Sequence, residues 1–267
     1  MRRFLSCVFV VLLAAQARAG EPASRPPTGD ELGLFREALK NAEQDQDHWA
    51  YTETVTIRDK GGLIQDETVV RYDPSRPYEE QYTPLTVDGK EPTKRQLKKY
   101  RQKGLERGKA VARRAKDGDK AGKNEEKDVT VRLDLEHPLV REATESRVVY
   151  EIPLEGGKSP VPADKVKIVA EIDRAARRLT HARMQVLDSF RVKAIAKVKR
   201  GDMRADFSVI DPTFPSVMTR IDGDVGASIL LIPVNATITC ERTDVQRVKA
   251  FDERFSVTLA PLQTFGF

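Results

Sequence analysis

Hydrophobic and polar residues alternate along most of this chain with a period of two, which is typical of antiparallel strands that bury one face. The first alternating run begins at Trp49, and further runs follow up to residues 255–259. The pair Asp88-Gly89 is predicted to end a short strand, and a turn at Gly201-Asp202 to join two strands, because glycine tolerates the backbone angles of tight turns. The pattern predicts about ten or eleven antiparallel strands in a mainly β (α+β) fold.

The period changes to that of an amphipathic helix in two places, and each place begins with a capping-box sequence. Thr28 opens the first box, and the apolar spacing after it predicts a helix over about residues 29–41. Thr93 opens the second box, which predicts a helix over about residues 94–115. From there to Lys127, glycine and charged residues occur without apolar periodicity, so we expect a disordered loop.

Residues 1–19 have the composition of a secretory signal peptide, with an arginine pair, an apolar run and the sequence Ala17-Arg18-Ala19. The apolar run is shorter than the roughly 20 residues that a membrane-spanning helix needs. We therefore predict export to the periplasm, with cleavage after Ala19. Residues 20–27 contain prolines without periodicity, which predicts a flexible leader. Residues 28–267 are expected to form one domain, with a basic insertion at residues 94–127.

Positive charge is concentrated in this insertion. It holds fourteen lysines and arginines against five acidic residues, whereas the whole chain has a net charge of +5. Removal of the signal peptide lowers that net charge to +2, so the mature chain outside the insertion is mildly acidic. A local excess of this kind in an exported protein argues against nucleic-acid binding, and we predict no nucleic-acid partner.

Two interpretations of the basic insertion stay open. It is either a solvated insertion without a partner, or an arm that contacts an anionic membrane surface or an acidic protein. The residues predicted for such a contact are Lys98, Lys99, Arg101, Arg113 and Arg114.

Motifs for catalysis and metal binding are scarce in this sequence. The three histidines are neither paired at metal-ligand spacing nor next to a cysteine pair. No nucleophile elbow, P-loop or dinucleotide fingerprint occurs. We predict a non-enzymatic protein without metal or cofactor. Cys240 is the sole cysteine after signal-peptide removal, and its alternating surroundings predict a buried apolar residue rather than a reactive thiol.

Three stretches carry a resemblance to a known superfamily. "DHWAYTETVTIRDKGGLIQDETVVRYDPSRP" and "YTPLTVDGKEPTKRQLKKYR" resemble the opening of uncharacterised exported proteins related to the periplasmic lipoprotein carriers, the LolA/LolB-like superfamily. "KIVAEIDRAARRLTHARMQVLDSFRVKAIAKV" is similar to the hairpins of that superfamily. The resemblance covers roughly residues 28–259 and lies in pattern more than in signature residues. It implies an antiparallel half-barrel whose concave side is covered by two or three helices, with space for acyl chains between sheet and helices.

On this basis the sequence predicts a periplasmic binding protein for a lipid or for the acyl chain of a lipoprotein, and the resemblance implies outer-membrane lipoprotein sorting. Strands at residues 190–198 and 203–209 are expected to be neighbours that face the apolar space. The residues predicted to line that space are Trp49, Tyr51, Ile168, Phe190, Val192 and Phe207. Two alternatives stay open: a concave face that is simply packed core, and an envelope-stress sensor or scaffold that binds a membrane-anchored partner protein.

Overall fold

The computed structural model describes residues 24–117, 133–155, 161–192, 196–229 and 232–254. The predicted signal peptide, the loop that follows the second helix and the last predicted strand lie outside these residues.

One open antiparallel sheet and two α-helices make up the described fold, as the alternation and the capping boxes predict. The helices are α1 (Gly29–Gln44) and α2 (Lys94–Asp117). The strands are β1 (Trp49–Arg58), β2 (Ile64–Tyr72), β3 (Tyr82–Val87), β4 (Leu139–Ala143), β5 (Arg147–Glu151), β6 (Val166–Asp173), β7 (Arg178–Val186), β8 (Phe190–Val192), β9 (Ala196–Ser208), β10 (Val217–Ile229) and β11 (Ile232–Arg247).

The strand order in the sheet is β3-β2-β1-β11-β10-β9-β7-β6-β5-β4, and β8 pairs with the start of β9. Within the described residues the sheet stays open, because β3 and β4 form its two edges. The sheet therefore consists of two meanders, β1 to β3 and β4 to β11, which join where β1 pairs with β11. Both helices lie on one face, which we call the helix-bearing face, and the other is called the charged face.

The main core lies where α1 packs on β5, β6 and β7. Phe35 is fully buried, and its ring centroid lies 4.9 Å from that of Tyr150 on β5. The Tyr150 hydroxyl donates a hydrogen bond of 2.7 Å to the backbone carbonyl of Glu31. Since Leu34 and Ala38 on the same helix stripe are also buried, α1 covers one end of the helix-bearing face.

The structure differs from the predicted strand pattern around Gly201. The predicted turn at Gly201-Asp202 is wrong: both residues lie inside the thirteen-residue strand β9. Gly201 pairs with Val225 of β10, and a Cβ atom at this glycine would lie 3.0 Å from the side chain of Val186. This glycine therefore serves close packing within the sheet rather than a hairpin. The antiparallel neighbour of the start of β9 is β8, through the pairs from Phe190 with Val198 to Val192 with Ala196.

Both predicted capping boxes are present. The Thr28 backbone N–H donates to Glu31 Oε2 at 2.8 Å, and the Glu31 N–H donates to Thr28 Oγ1 at 3.3 Å. The second box repeats this pattern: the Thr93 N–H donates to Gln96 Oε1 at 2.7 Å. These local contacts explain why both helix starts are readable from sequence alone.

The described part of the leader, residues 24–27, is attached to the sheet, unlike the flexible leader expected from its composition. Arg25 and Val140 exchange two backbone hydrogen bonds of 2.9 and 2.7 Å. The Arg25 guanidinium also donates two bonds, of 2.8 and 2.7 Å, to the Glu31 carboxylate. Pairing with edge strand β4 thus orders a segment that has no apolar periodicity of its own.

Glu31 is expected to make the stability of the protein pH-dependent below neutrality. The hydrogen bonds from Arg25 lower the pKa of this carboxyl from its ordinary 4.5 to about 2. A depressed folded-state pKa adds stability that is complete above the unfolded-state value and is lost as the pH falls toward 2. We expect the loss to reach about 2 kcal/mol, since Arg25 is half exposed and solvent screens part of the interaction.

Urea unfolding at pH 5, 3.5 and 2.5 measures this loss. The variant Glu31→Gln should show a shallower fall in the free energy of unfolding across this range, whereas Glu37→Gln, an exposed position on the same helix, should keep the wild-type slope. Equal slopes for all three proteins would show that the Arg25–Glu31 pair carries none of the pH dependence.

Candidate functional site

A pocket of about 270 Å³ lies on the helix-bearing face, between the end of α1, the middle of α2 and the sheet. We call it the aromatic pocket. It is lined by Ala42, Asp45, Asp47, Trp49, Tyr51, Tyr72, Tyr82, Arg107, Phe207, Ser216, Val217, Met218 and Arg242.

A ladder of three tyrosines forms one wall of this pocket. Tyr51, Tyr72 and Tyr82 occupy directly opposed positions on β1, β2 and β3. Their ring centroids are 5.1 and 5.0 Å apart along the ladder, the spacing of packed aromatic pairs. Burial raises the pKa of Tyr51 to about 12, so this phenol stays neutral at physiological pH.

Cationic side chains lie over the rings of the ladder. The Arg242 guanidinium is 4.1 Å from the Tyr51 centroid, and Lys103 Nζ is 4.3 Å from the Tyr82 centroid. Arg107 approaches Tyr72 at 5.6 Å from α2. Cations at these distances are attracted to the ring faces. The ladder therefore contributes to holding α2 against the first three strands.

Each of the two pocket arginines donates hydrogen bonds to acidic or amide groups. Arg242 donates to Glu53 Oε2 at 3.0 Å, and Arg107 donates to Gln81 Oε1 at 2.7 Å and to Asp47. Since both guanidinium groups are partly buried, these partners fix their orientation. The wall of the pocket is thus amphipathic, with aromatic faces and fixed polar groups side by side.

Asp45 connects the end of α1 to the sheet at the base of the pocket. It accepts a hydrogen bond of 2.6 Å from Trp49 Nε1 and two bonds of 2.6 and 2.7 Å from Arg247 Nη1. The Arg247 guanidinium stacks 3.4 Å from the centroid of the Phe214 ring. One carboxylate therefore joins α1, β1 and β11.

An apolar strip runs across the helix-bearing face next to the pocket. Two cross-strand rows form it, and every member is apolar or glycine: Ile168, Met184, Met203, Gly223, Ile238 and Ile57 in one row, and Ala170, Ala182, Ala205, Ile221, Cys240 and Val55 in the other. The central side chains Met184, Met203 and Ile238 are only partly buried. Phe207 follows Ala205 on the same face of β9 and also lines the pocket, so strip and pocket are continuous.

The helix positions explain why the strip is accessible. α1 packs on β6 and β7, whereas α2 packs on β3 and on the 3₁₀ turn Tyr78–Glu80, which we call the Tyr78 turn. The strip begins on β6 and β7, beside the residues that α1 covers, and runs across β9, β10 and β11 to β1, on which neither helix packs. Its small residues, among them Ala182, Ala205 and Gly223, add space above the sheet. Cys240 is buried in the strip, and burial raises the pKa of its thiol to about 11, as expected for an apolar position.

The six residues predicted to line an apolar space do not surround one cavity. Trp49, Tyr51 and Phe207 meet in the aromatic pocket, and Ile168 begins the strip. Phe190 and Val192 lie in a second core cluster with Leu154, Val166 and Val198, and Ile168 packs against this cluster as well. Phe190 pairs with Val198, which is nine residues from Phe207 along one strand, or about 30 Å. The continuous strand β9 causes this separation.

Sequence reasoning missed the two pocket arginines and two of the three ladder tyrosines. Arg107 lies on α2 and Arg242 on β11. Both line the pocket only because the strand order brings these two elements to the same part of the sheet. The spacing of Tyr72 and Tyr82 carries a partial signal, because both lie in predicted strands of the first meander. Their pairing with Tyr51 could not be read without the register.

The basic residues predicted for surface contact lie on α2. Lys98, Lys99, Arg101 and Arg113 are exposed, and the side chain of Arg114 lies outside the described part of the structure. The two glycines of this helix, Gly104 and Gly108, face the Tyr78 turn. The helix is therefore packed against the domain along one side.

The charged face of the sheet carries a second concavity, of about 770 Å³. Its arginines and aspartates pair with one another across and along the strands: Arg183 with Asp202, Arg200 with Asp224, Arg204 with Asp206, and Arg220 with Asp222. Such a self-neutralising lattice supports strand register and leaves little net charge for a ligand. Among the described residues there is no group of three side chains placed to hold a metal ion.

Comparisons with known proteins concern the fold alone. No protein-family model matches the chain, and no curated protein matches it. Among solved structures, the chain is similar to a LolA superfamily protein from Nitrosomonas europaea, with a TM-score of 0.35 and 11% sequence identity. That alignment covers 84% of this chain and 96% of the other. In the described part of the chain, no helix is both long and apolar enough to cross a membrane.

Proposed function

We propose that this protein is a non-enzymatic, periplasmic binding protein for an amphiphilic lipid or for the acyl chain of a lipidated protein. The apolar strip is the observation that carries the proposal. It offers apolar side chains on six adjacent strands, next to a pocket with fixed polar groups. An apolar cleft with a few convergent polar groups is the usual form of a site for such ligands.

The chemistry of the ligand follows from the arrangement of the site. An acyl chain that covers the partly buried methionines and isoleucines removes apolar surface from water, which contributes about 25 cal/mol for each Å² covered. Methionine side chains adapt to ligands of different shape. Met184 and Met203 are directly paired cross-strand neighbours within the strip. The polar end of the ligand would then lie toward the aromatic pocket, where Arg107 and Arg242 offer hydrogen-bond donors.

Filling the strip is the experiment that tests this proposal. We expect Met203→Trp to reduce the affinity for an environment-sensitive fatty-acid probe at least tenfold, because the larger ring occupies the space of the chain. The free energy of unfolding should change by less than about 1 kcal/mol, since an open strip accepts volume that a filled core would accept only at a cost of about 1–3 kcal/mol.

The matched control is Leu63→Trp, which adds the same ring at an exposed position near the β1–β2 turn. This variant should bind the probe as the wild type does. A wild-type protein that binds no probe, combined with a strongly destabilised Met203→Trp variant, would identify the strip as packed core and contradict the proposal. Mass spectrometry of organic extracts from natively purified protein then identifies the natural lipid.

A further inference from the structure

The outward side of α2 carries many exposed cations and few acidic residues. We call it the basic face. Its exposed cations are Lys94, Arg95, Lys98, Lys99, Arg101, Lys109 and Arg113. The exposed acidic residue among them is Glu106. A helix of 24 residues is about 36 Å long, so the basic face is an extended surface rather than a single site.

Close packing holds this helix in place. A Cβ atom at Gly104 would lie 1.8 Å from the Tyr78 carbonyl oxygen, and one at Gly108 would lie 2.6 Å from the Tyr78 ring. Arg107, on the same side of α2, enters the aromatic pocket and donates to Gln81. The inward side of the helix therefore belongs to the folded domain, and the basic face is presented in a fixed orientation.

Two exposed leucines lie beside these cations, Leu105 within the basic face and Leu97 at its edge, on the helix stripe of Gly104. Leu97 is 45% exposed and Leu105 is 37% exposed, one helical turn on either side of Arg101. Exposed leucines among lysines and arginines are typical of helices that lie in the interface of a membrane, with cations at the headgroups and apolar side chains at the acyl boundary. Neither a nucleic-acid backbone nor an acidic protein surface requires this combination.

From these observations we infer that the basic face of α2 docks on a bilayer with anionic headgroups. Each basic residue near such a surface contributes attraction, and seven exposed cations on one rigid helix act together. The aromatic pocket lies beneath the same helix, so docking would bring the pocket to about one helix diameter, roughly 10 Å, from the headgroups. The inference concerns the surface of the protein and does not depend on what the apolar strip binds.

Vesicle sedimentation with the whole protein tests the inference. Wild-type protein should bind vesicles of phosphatidylglycerol and phosphatidylcholine at low salt, should bind pure phosphatidylcholine vesicles far less, and should dissociate as salt screens the charges. The triple variant Lys98→Gln, Arg101→Gln, Lys109→Gln should bind these vesicles roughly 100-fold more weakly than the wild type. The loss of each basic residue is expected to lower the affinity about fivefold.

A matched triple variant, Lys40→Gln, Lys60→Gln, Lys199→Gln, removes the same charge from exposed positions elsewhere and should bind almost as the wild type does. The double variant Leu97→Gln, Leu105→Gln keeps every charge and should also weaken vesicle binding. Equal binding by both triple variants would overturn the inference. Unchanged binding by the leucine variant, or stronger binding of the wild type to polyglutamate or RNA than to vesicles, would assign the face to another class of partner.

Discussion

Replacing Gly104 by alanine is expected to lower the free energy of unfolding by about 3 kcal/mol, although alanine is the better helix former by about 1 kcal/mol. The new Cβ atom would lie 1.8 Å from the Tyr78 carbonyl oxygen, and both collision partners are fixed: one is attached to the α2 backbone and the other is backbone itself. No side-chain rotation relieves that overlap. The helix must move away from the Tyr78 turn, and Arg107 then loses its contacts with Gln81 and Asp47.

The control is Gly33→Ala on α1, where a Cβ atom meets nothing within 4 Å. This substitution should raise stability by about 0.5–1 kcal/mol, so the same change has opposite signs in the two helices. Chemical denaturation measures the change in the free energy of unfolding of both variants, and thermal melting measures the change in Tm. In a domain of this size, Tm should shift by roughly 2–4 °C for each kcal/mol. Stabilisation by Gly104→Ala would mean that α2 does not pack on the Tyr78 turn.

Replacing Asp45 by alanine is expected to cost about 3–4 kcal/mol. The change leaves the buried Trp49 indole N–H without its acceptor and removes both hydrogen bonds to Arg247. Loss of one partner from a largely buried charged pair is strongly destabilising, because the remaining charge stays desolvated. Asp45 is 12% exposed at its side chain, so water replaces little of what is lost.

Asp47→Ala is the matched control two residues away. Asp47 is 58% exposed and pairs with Arg107, so its loss should cost no more than about 1 kcal/mol. Trp49 is the sole tryptophan of the chain, and its fluorescence reports the pocket directly. We expect a red-shifted emission in folded Asp45→Ala and an unchanged emission in Asp47→Ala. Similar unfolding free energies for the two variants would contradict the role assigned to Asp45.

The elements that the sequence predicted well are those whose signals are local. Thr28 with Glu31, and Thr93 with Gln96, start helices through contacts three residues apart, and the structure contains both boxes. Asp88 and Gly89 adopt positive φ angles of 52° and 69°, as expected for the predicted tight turn at the end of a strand. Cys240 is buried because the alternation places it on the inner side of its strand.

The features that the sequence predicted poorly depend on residues that are distant along the chain. Gly201 lies in a strand because Val186 and β10 pack closely against it, which a local pattern does not show. Gly104 and Gly108 weaken α2 as an isolated helix, yet they allow its close approach to Tyr78. Glycine can thus end a strand, allow close packing within a sheet or allow the close approach of a helix, and its neighbours in space decide which of these roles it has.

The sequence by itself determined the mainly β class, the two helix starts, the buried cysteine and the concentration of positive charge in α2, because periodicity, capping and charge act over a few residues. Only the tertiary structure decided which strands are neighbours, and therefore which residues form the pocket. Tyr51, Tyr72 and Tyr82 form a ladder through register, and Phe190 is separated from Phe207 through the continuity of β9. Register and strand order arise from pairing between segments far apart in the chain, which no local pattern encodes.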